Sequence, residues 1–273
     1  MSAQWVIFTD LDGTLLEREG YSYTPALPAL NLIAKHNIPL ILNSSKTVAE
    51  ILSLRTELDN RHPFVVENGA AVILPKNYFD AAEPLETLAA GDNAEAYCIK
   101  RFSQAHEHIL QSLAEARGLG FKFAGFSDWS PAQLAELCGL PLANATMAKQ
   151  RIGSEPLLFE GDLASFIEFL ASKQLRAVQG GRFLHVMGHY DKAGGVNWLL
   201  DAYRKQFSPT PIQSVALGDS HNDEGMLNTV DVPIVISSPH SQQIILTHPK
   251  RARFSSAQGP TGWNEQLLKL LHE

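Results

Sequence analysis

Short apolar runs alternate with amphipathic stretches along the first part of the chain. Residues 5–8 and 38–42 are apolar runs of strand length, and polar residues follow each of them. Between them, the stretch that begins at Thr24-Pro25 carries apolar residues at helical spacing, with proline in its first turn. A second amphipathic stretch occupies residues 48–58. This order predicts parallel strands that are joined by right-handed crossovers.

The pattern changes near residue 63 and returns near residue 190. Residues 64–66 and 70–74 flank Asn68-Gly69, which predicts a β-hairpin. Helical and strand-like runs then mix, as is typical of a separate α+β unit. From Lys192 onward, helices and buried strands alternate again.

These patterns predict an α/β fold. Its core is a Rossmann-like, doubly wound parallel sheet formed by residues 1–80 and 189–273. An α+β domain at residues 81–188 is inserted into this core, so the two flanking parts of the chain must meet in space.

The composition is that of an ordinary globular protein with few cysteines. Of 273 residues, 45% are hydrophobic and 19% are charged, which allows a sizeable core. The formal net charge of −7 disfavours a general nucleic-acid-binding protein, which would carry basic stripes. Two cysteines form no disulfide framework, and no apolar run reaches the roughly 18 residues of a membrane span. We expect a cytoplasmic protein without nucleic-acid or membrane partners, and its oligomeric state is open.

Acidic residues follow two of the predicted strands. Asp10 and Asp12 come after the first strand, and Asp219 follows the strand at residues 214–217. An unpaired carboxylate is costly to bury, so these side chains must find water, a cation or a partner. Since the carboxyl ends of parallel strands share one sheet edge, the acids are expected to meet there.

Each polar position also has a purely structural interpretation. Asp219 and Asp223 suit a turn before a helix. Ser44 or Ser45 would cap the helix that follows, and Ser45 is the expected cap. Lys192 is the exception, because a helix start disfavours a cation unless an anion lies nearby. The order of these positions along the chain is what favours a functional site.

Together the motifs resemble those of the haloacid dehalogenase superfamily of phosphatases. That family has an Asp-x-Asp after the first strand, a Ser or Thr after the second, a Lys, and a Gly-Asp-x-x-x-Asp-type turn, and all occur here in order. The resemblance implies that Asp10 attacks phosphorus and that Asp12 serves as general acid and base. It also implies that Ser44 and Lys192 hold phosphate oxygens.

The same resemblance implies a magnesium ion as cofactor. Its ligands would be the carboxylates of Asp10 and Asp219 and the backbone carbonyl of Asp12. Asp223 and Asn222 would support these ligands from behind, and Asp223 is also a candidate partner of Lys192.

The insertion lies between Ser44 and Lys192, where subfamily IIB of this family carries its larger α/β cap. Further segments resemble the mannosyl-3-phosphoglycerate phosphatase branch: residues 150–157 and 180–186, Ser44-Ser45-Lys46-Thr47, Glu67-Asn68-Gly69, Asp191-Lys192-Ala193-Gly194 and Gly259-Pro260-Thr261-Gly262-Trp263. The implied substrate is a phosphorylated sugar-glycerate. The implied substrate-binding residues are Lys46, Arg151, Ser154, Glu155, Gly181, Arg182 and His185.

These assignments also have structural alternatives. Gly180-Gly181 is an ordinary hairpin turn, and Arg151 and Glu155 have the spacing of a surface ion pair. His185 lies in an alternating strand, where a core histidine is the simpler interpretation.

The leading hypothesis is a magnesium-dependent phosphatase that hydrolyses mannosyl-3-phosphoglycerate to mannosylglycerate and phosphate through an aspartyl-phosphate. The nearest alternatives are phosphatases of other sugar phosphates, such as glucosyl-3-phosphoglycerate or sucrose phosphate. A phosphomannomutase-like phosphotransferase would need a bisphosphorylated primer. A non-catalytic phosphometabolite-binding protein would bind without turnover.

Overall fold

The computed structural model describes residues 3–80, 85–88, 97–180 and 182–272. Within these ranges the chain forms thirteen strands and nine α-helices. The strands are β1 Gln4–Thr9, β2 Leu40–Asn43, β3 Phe64–Val66, β4 Ala71–Pro75, β5 Glu86–Leu88, β6 Tyr97–Arg101, β7 Lys122–Gly125, β8 Ser154–Glu160, β9 Arg176–Gly180, β10 Phe183–Met187, β11 Ile212–Gly218, β12 Val232–Ser237 and β13 Arg253–Gln258. The helices are α1 Leu27–Lys35, α2 Val48–Glu57, α3 His106–Gly118, α4 Pro131–Cys138, α5 Leu142–Ala148, α6 Leu163–Ser172, α7 Lys192–Phe207, α8 Glu224–Thr229 and α9 Gly259–His272.

Nine strands form one mixed sheet in the order β13-β12-β11-β1-β2-β3-β4-β6-β5. The strands from β13 to β3 are parallel, and β4, β6 and β5 continue the sheet in antiparallel fashion. Alternate residues of β1 reach opposite faces, as the twofold period of a strand requires. Ile7 packs with α1, α2 and α9, whereas Val6 and Phe8 pack with α7 and α8. The predicted doubly wound α/β core is confirmed.

The inserted domain contains a second sheet, with the antiparallel order β7-β8-β10-β9. Helices α3 and α6 cover it through a core that includes Ile109, Phe166 and Leu157. Helices α4 and α5 form a smaller cluster, in which Leu134 and Ala145 pack near Phe126. The predicted inserted α+β unit is therefore present.

Two strands that follow residue 80 belong to the core sheet. β6 lies antiparallel to β4, with Ile99 opposite Ile73, and β5 pairs with β6. A short amphipathic strand does not reveal from its own sequence which sheet it will join. The domain boundaries at residues 80 and 188 stay predictions, but the core sheet itself reaches Arg101.

Two expectations from composition concern cysteines and membrane spans. Cys98 and Cys138 are both free thiols. In the described part of the chain, no helix combines the length and apolarity that crossing a bilayer requires.

Candidate active site

The carboxyl ends of β1, β2 and β11 meet at one edge of the core sheet. β1 pairs in parallel with β2 on one side and with β11 on the other. Asp10 follows β1 directly, and its amide donates a hydrogen bond to the carbonyl of Leu217 at 2.9 Å. Ser44 and Asp219 immediately follow β2 and β11. The strand topology therefore brings Asp10, Ser44 and Asp219 to the same edge.

A buried lysine joins two of the acids. Lys192 is the first residue of α7, and its Nζ lies 2.6 Å from Oδ1 of Asp10 and 2.5 Å from Oδ1 of Asp223. Lys192 and Asp223 are fully buried, and Asp10 is nearly so. These two anions account for a lysine at a helix start, where the helix dipole alone is unfavourable.

Asp223 organises the turn between β11 and α8. Its Oδ2 accepts hydrogen bonds from the backbone amides of Asp219 at 3.0 Å and Ser220 at 3.1 Å. Since its Oδ1 holds Lys192, both carboxylate oxygens are engaged. Asn222 lies in the same turn, and its Nδ2 donates to Oδ1 of Asn68 at 3.2 Å. Both residues therefore lie in the turn that carries Asp219, and their support of metal ligands stays a prediction.

Asp10, Asp219 and Asp223 form a compact buried cluster, with one oxygen of each within 4.8 Å of the others. Burial, followed by the charges of Asp223 and Asp219, raises the pKa of Asp10 to about 8, and Lys192 only partly opposes these effects. Burial and Asp223 also raise the pKa of Asp219. The nearby cations therefore do not fully offset burial and the mutual repulsion of the three acids. Buried carboxylate oxygens fit a hard divalent cation such as Mg²⁺, and Asp10 and Asp219 would hold it because Asp223 is already engaged.

Asp219 also pairs with an arginine that the sequence reasoning missed. Nη2 of Arg18 donates to Oδ2 of Asp219, and the hydroxyl of Thr14 lies 3.4 Å from Oδ1. Gly13, at φ +86°, lies against this pair, and a Cβ there would come within 2.9 Å of Oδ2 of Asp219. Gly13 is thus needed both for the turn and for this close approach. Nothing in the local pattern around Arg18 indicates which acid it meets.

Asp12 lies on the open side of the site, with 36% of its side chain exposed. Its Oδ2 lies 2.9 Å from Nζ of Lys46, whereas its Oδ1 is buried without a hydrogen-bond partner among the described residues. Burial disfavours the charged form of Lys46, but the nearby carboxylates of Asp12 and Glu50 outweigh this effect and raise the pKa of the lysine. Lys46 therefore fixes one oxygen of Asp12 and leaves the other for a ligand.

The helix that follows Ser44 starts differently from the prediction. Thr47 is the N-cap of α2, so the prediction of Ser45 was wrong. The hydroxyl of Thr47 accepts from the amide of Glu50 at 3.3 Å, and the Glu50 carboxylate accepts from the amide of Thr47 at 2.9 Å. A Thr followed by a Glu three positions later is a sequence pattern that predicts this capping box. Ser44 is buried and accepts from the amide of Lys46 at 3.3 Å.

Helix α9 supports the backbone of the first motif. Nε1 of Trp263, which is fully buried, donates to Oγ1 of Thr9 at 3.0 Å. The same hydroxyl donates to the carbonyl oxygen of Asp10 at 2.7 Å. The segment around Trp263 thus fixes the backbone that carries Asp10.

A cleft of about 350 Å³ opens between the core and the inserted domain, beside Asp12. Four of the predicted substrate-binding residues line it: Lys46, Arg151, Arg182 and His185. Tyr21 from the core and Phe126 and Phe183 from the inserted domain add aromatic surface. Gly181 lies outside the described residues. Gly180 pairs with Phe183 where the antiparallel strands β9 and β10 meet.

The cleft combines cationic groups with a neutral histidine. Lys46, Arg151 and Arg182 supply the positive charge. Burial, and then the charge of Arg151, lowers the pKa of His185 to about 3, so the imidazole is neutral at pH 7. Its Nδ1 is buried and has no hydrogen-bond partner among the described residues. Such an atom calls for a partner from a ligand or from ordered water.

Glu155 is not among the residues that line the cleft. Its Oε1 accepts from the amide and the hydroxyl of Ser127, each at 2.7 Å, and its Oε2 lies 2.9 Å from Nε2 of His106. Burial alone would raise the pKa of Glu155, but the hydrogen bonds from His106 and Ser127 outweigh it and lower the pKa. Because both oxygens are engaged, the geometry disfavours the predicted contact with a sugar hydroxyl.

Arg151 and Ser154 both contact Glu67, whereas the sequence analysis considered an ion pair between Arg151 and Glu155. Arg151 lies 3.5 Å from the carboxylate of Glu67 rather than pairing with Glu155. The hydroxyl of Ser154 donates to the same Glu67 carboxylate at 2.7 Å, and Ser154 does not line the cleft. The sequence analysis names Glu67 only within a resembling segment and assigns it no contact, although an acid inside an Asn-Gly hairpin turn is a signal that would have marked it.

Comparisons with known proteins give consistent matches. A family model described as haloacid dehalogenase-like hydrolase matches residues 7–114. A relative from Methanococcoides burtonii, named glucosyl-3-phosphoglycerate/mannosyl-3-phosphoglycerate phosphatase, is 38% identical over 273 residues and is matched over 97% of both chains. A relative of the same name from Persephonella marina is 35% identical over 98% of this chain and 97% of its own length. The solved structure of Thermoplasma acidophilum 0175 shares the fold, with a TM-score of 0.68 over 100% of both chains at 16% identity.

Proposed function

Because this chain belongs to the haloacid dehalogenase-like hydrolase family, we propose that it is a phosphatase that removes phosphate from a sugar-glycerate. The observation that carries this proposal is the buried contact of Lys192 with Asp10 and Asp223, next to Asp219. A cleft whose lining includes Lys46, Arg151 and Arg182 opens beside Asp12. That arrangement provides a carboxylate nucleophile, a second carboxylate at Asp12, and positive charge for a phosphate ester.

We infer that the reaction proceeds in two steps. An oxygen of Asp10 forms a bond to phosphorus while the bond from phosphorus to the substrate oxygen breaks, and Asp12 donates a proton to that oxygen. In the second step Asp12 takes a proton from water, whose oxygen attacks phosphorus and releases phosphate and free Asp10. The buried Oδ1 of Asp12, which has no partner in the described part of the chain, supports this role.

In this proposal, the remaining polar residues neutralise the charge of the phosphate and orient the nucleophile. Lys192 orients Asp10 and neutralises the phosphate oxygens, and Ser44 donates a hydrogen bond to them. A Mg²⁺ ion held by the carboxylates of Asp10 and Asp219 and the carbonyl of Asp12 would offset the repulsion between Asp10 and the phosphate.

We propose that the substrate is a glycosyl-3-phosphoglycerate, with the mannosyl compound as first candidate and the glucosyl compound as second. The relatives from Methanococcoides burtonii and Persephonella marina carry both sugars in their names. Arg151 and Arg182 suit the glycerate carboxylate, and the neutral His185 suits a sugar hydroxyl. The inserted domain, predicted at residues 81–188, would close over the site and limit the access of water.

Phosphate release from a substrate panel tests this proposal. The panel contains mannosyl- and glucosyl-3-phosphoglycerate, 3-phosphoglycerate, a hexose 6-phosphate and sucrose phosphate, each with Mg²⁺ and with a chelator. The highest kcat/KM is expected for a glycosyl-3-phosphoglycerate, and Asp10→Asn serves as the control for contaminating phosphatases. Faster turnover of a hexose 6-phosphate or of sucrose phosphate would exclude the named substrate class. Dependence on a bisphosphorylated primer, without release of phosphate, would indicate a phosphomutase.

A further inference from the structure

The turn between β3 and β4 has an unusual backbone and a buried acid. Its three residues, Glu67, Asn68 and Gly69, have φ values of 50°, 57° and 102°. A non-glycine residue rarely adopts this left-handed region unless its surroundings hold it there. Glu67 is also fully buried, and buried carboxylates require partners.

This turn contacts three of the loops that form the candidate active site. The amide of Glu67 donates to the carbonyl of Lys46 at 3.0 Å, and the amide of Asn68 donates to the carbonyl of Ser44 at 2.9 Å. Oδ1 of Asn68 accepts from Asn222 in the acidic turn at 3.2 Å. A Cβ on Gly69 would lie 1.9 Å from the carbonyl oxygen of Asp191, the residue before Lys192. Glycine is therefore needed for the turn to pack against the start of α7.

The carboxylate of Glu67 reaches in the other direction, into the inserted domain. It accepts from the amides of Ile152 at 2.7 Å and Gly153 at 3.2 Å, and from the hydroxyl of Ser154 at 2.7 Å. Each of these donors lies in one short segment that leads into β8. A single side chain of the core therefore fixes the path of residues 152–154.

Arg151 completes the network at the wall of the cleft. Its guanidinium lies 3.5 Å from Glu67, and its Nη2 donates to the hydroxyl of Ser154 at 2.8 Å and to the carbonyl of Ser45 at 3.1 Å. Ser45 lies between Ser44 and Lys46, so Arg151 bridges the inserted domain and the loop that faces the phosphate site.

We propose that Glu67 is a positioning residue that sets Arg151 against the loop of Ser44 to Lys46 and thereby fixes the distance between the anion-binding wall of the cleft and the reacting phosphate. Glu67 acts through Arg151 and touches no substrate. The inference rests on the proposed function, because Arg151 is taken to bind the anionic glycerate. A buried charge pair of this kind is strongly coupled, since removal of one partner leaves the other without compensation.

Glu67→Gln is a suitable test because it keeps the size of the side chain. The amide retains one acceptor oxygen, but its NH₂ group faces donors. The neutral side chain also no longer balances the positive charge of Arg151. Arg151 should then lose its fixed position while the turn itself keeps its backbone contacts. The matched control is Glu168→Gln, which neutralises an exposed glutamate on α6 of the inserted domain.

The kinetic test compares a glycosyl-3-phosphoglycerate with p-nitrophenyl phosphate, which lacks both glycerate and sugar. Glu67→Gln is expected to lower kcat/KM for the glycosyl substrate at least about tenfold more than for p-nitrophenyl phosphate, chiefly through KM. In a double-mutant cycle, Glu67→Gln should add little to the loss caused by Arg151→Gln. Equal losses on both substrates, or additive losses in the cycle, would overturn the proposal.

Hydrogen exchange gives a second measurement that does not depend on catalysis. The amides of Ile152 and Gly153 should exchange at least about tenfold faster in Glu67→Gln, with unchanged protection in β1 and β11. Unaltered protection at these two amides would contradict the proposed contact. If the wild-type protein hydrolyses no glycosyl-3-phosphoglycerate, the proposed function fails, whereas the exchange result still decides whether Glu67 holds this segment.

Discussion

Nζ of Lys192 lies 2.6 Å from Oδ1 of Asp10, and the lysine is fully shielded from solvent. This ion pair joins the first residue of α7 to the end of β1 across 182 positions of the chain. The two parts of the core that flank the inserted domain therefore meet at the candidate nucleophile. The same contact is expected to contribute both to folding and to activity.

Replacement of Lys192 tests both contributions. Lys192→Met should lower the free energy of unfolding by about 3 kcal/mol, because it leaves Asp10 and Asp223 buried without their cation. It should also reduce kcat/KM at least about a hundredfold, since a positive charge near the phosphate is lost. Urea denaturation and steady-state kinetics measure the two effects. Lys205→Met, at an exposed position of the same helix, is the control, and equal stability of the two variants would contradict this account.

Lys46 is expected to hold Asp12 in its reactive position. Lys46→Met should lower kcat/KM by about tenfold to a hundredfold, which corresponds to the loss of a hydrogen bond to a charged group. Lys46→Arg should recover part of the rate, because the ion pair with Asp12 can re-form. Lys35→Met alters an exposed lysine on α1 and should leave the rate unchanged. Wild-type kinetics in Lys46→Met would remove Lys46 from the site.

Arg18 is expected to compete with a divalent cation for Asp219. Its guanidinium already neutralises the carboxylate that would bind the ion, so Mg²⁺ must replace this contact. Arg18→Ala should therefore bind Mg²⁺ about threefold to tenfold more tightly by isothermal titration calorimetry. Arg204→Ala removes an exposed arginine that pairs with Asp201 and serves as the control. Weaker or unchanged Mg²⁺ affinity in Arg18→Ala would show that no such competition exists.

His62 is expected to make stability depend on pH. Burial, and then the charge of Arg55, lowers the pKa of His62 in the folded protein to about 4, and its Nδ1 lies 2.7 Å from the hydroxyl of Tyr78. The unfolded chain binds this proton below about pH 6.5, whereas the folded chain does not until about pH 4. Stability from this group is therefore present above pH 6.5 and is lost as the pH falls toward 4.

Urea denaturation at pH 7 and pH 4.5 measures this effect. Between these values the wild-type protein should lose about 2 kcal/mol more of its free energy of unfolding than His62→Asn does. Identical pH dependence in the two proteins would mean that His62 titrates normally in the folded state.

The sequence predicts those features that depend on strand order and helix starts. Asp10, Ser44 and Asp219 meet because each follows a parallel strand, and parallel strands end at the same sheet edge. Lys192 is predictable for a different reason, since a lysine at a helix start needs an anion nearby. Thr47 was also predictable, because the capping box with Glu50 is a local pattern.

Contacts between distant turns could not be predicted in this way. Arg18 meets Asp219 across 201 positions, and Glu67 meets Gly153 across 86, and no local pattern specifies either contact. For Glu155, the residue type suggests a role that its position in the fold disfavours. A carboxylate suits a sugar hydroxyl, but Glu155 is buried away from the cleft and its oxygens are hydrogen-bonded to Ser127 and His106. Whether a polar residue lines a cleft or lies behind its wall depends on tertiary packing.

The central claim is that Asp10 is the nucleophile of a phosphatase, and phosphate release by Asp10→Asn tests it most directly. The amide preserves the size of the side chain, and Lys192 keeps its contact with Asp223, so the variant should fold normally by circular dichroism. With a glycosyl-3-phosphoglycerate and Mg²⁺, the variant should release phosphate at least about a thousandfold more slowly than the wild-type protein. A folded Asp10→Asn protein that keeps a substantial share of the wild-type rate would contradict the account.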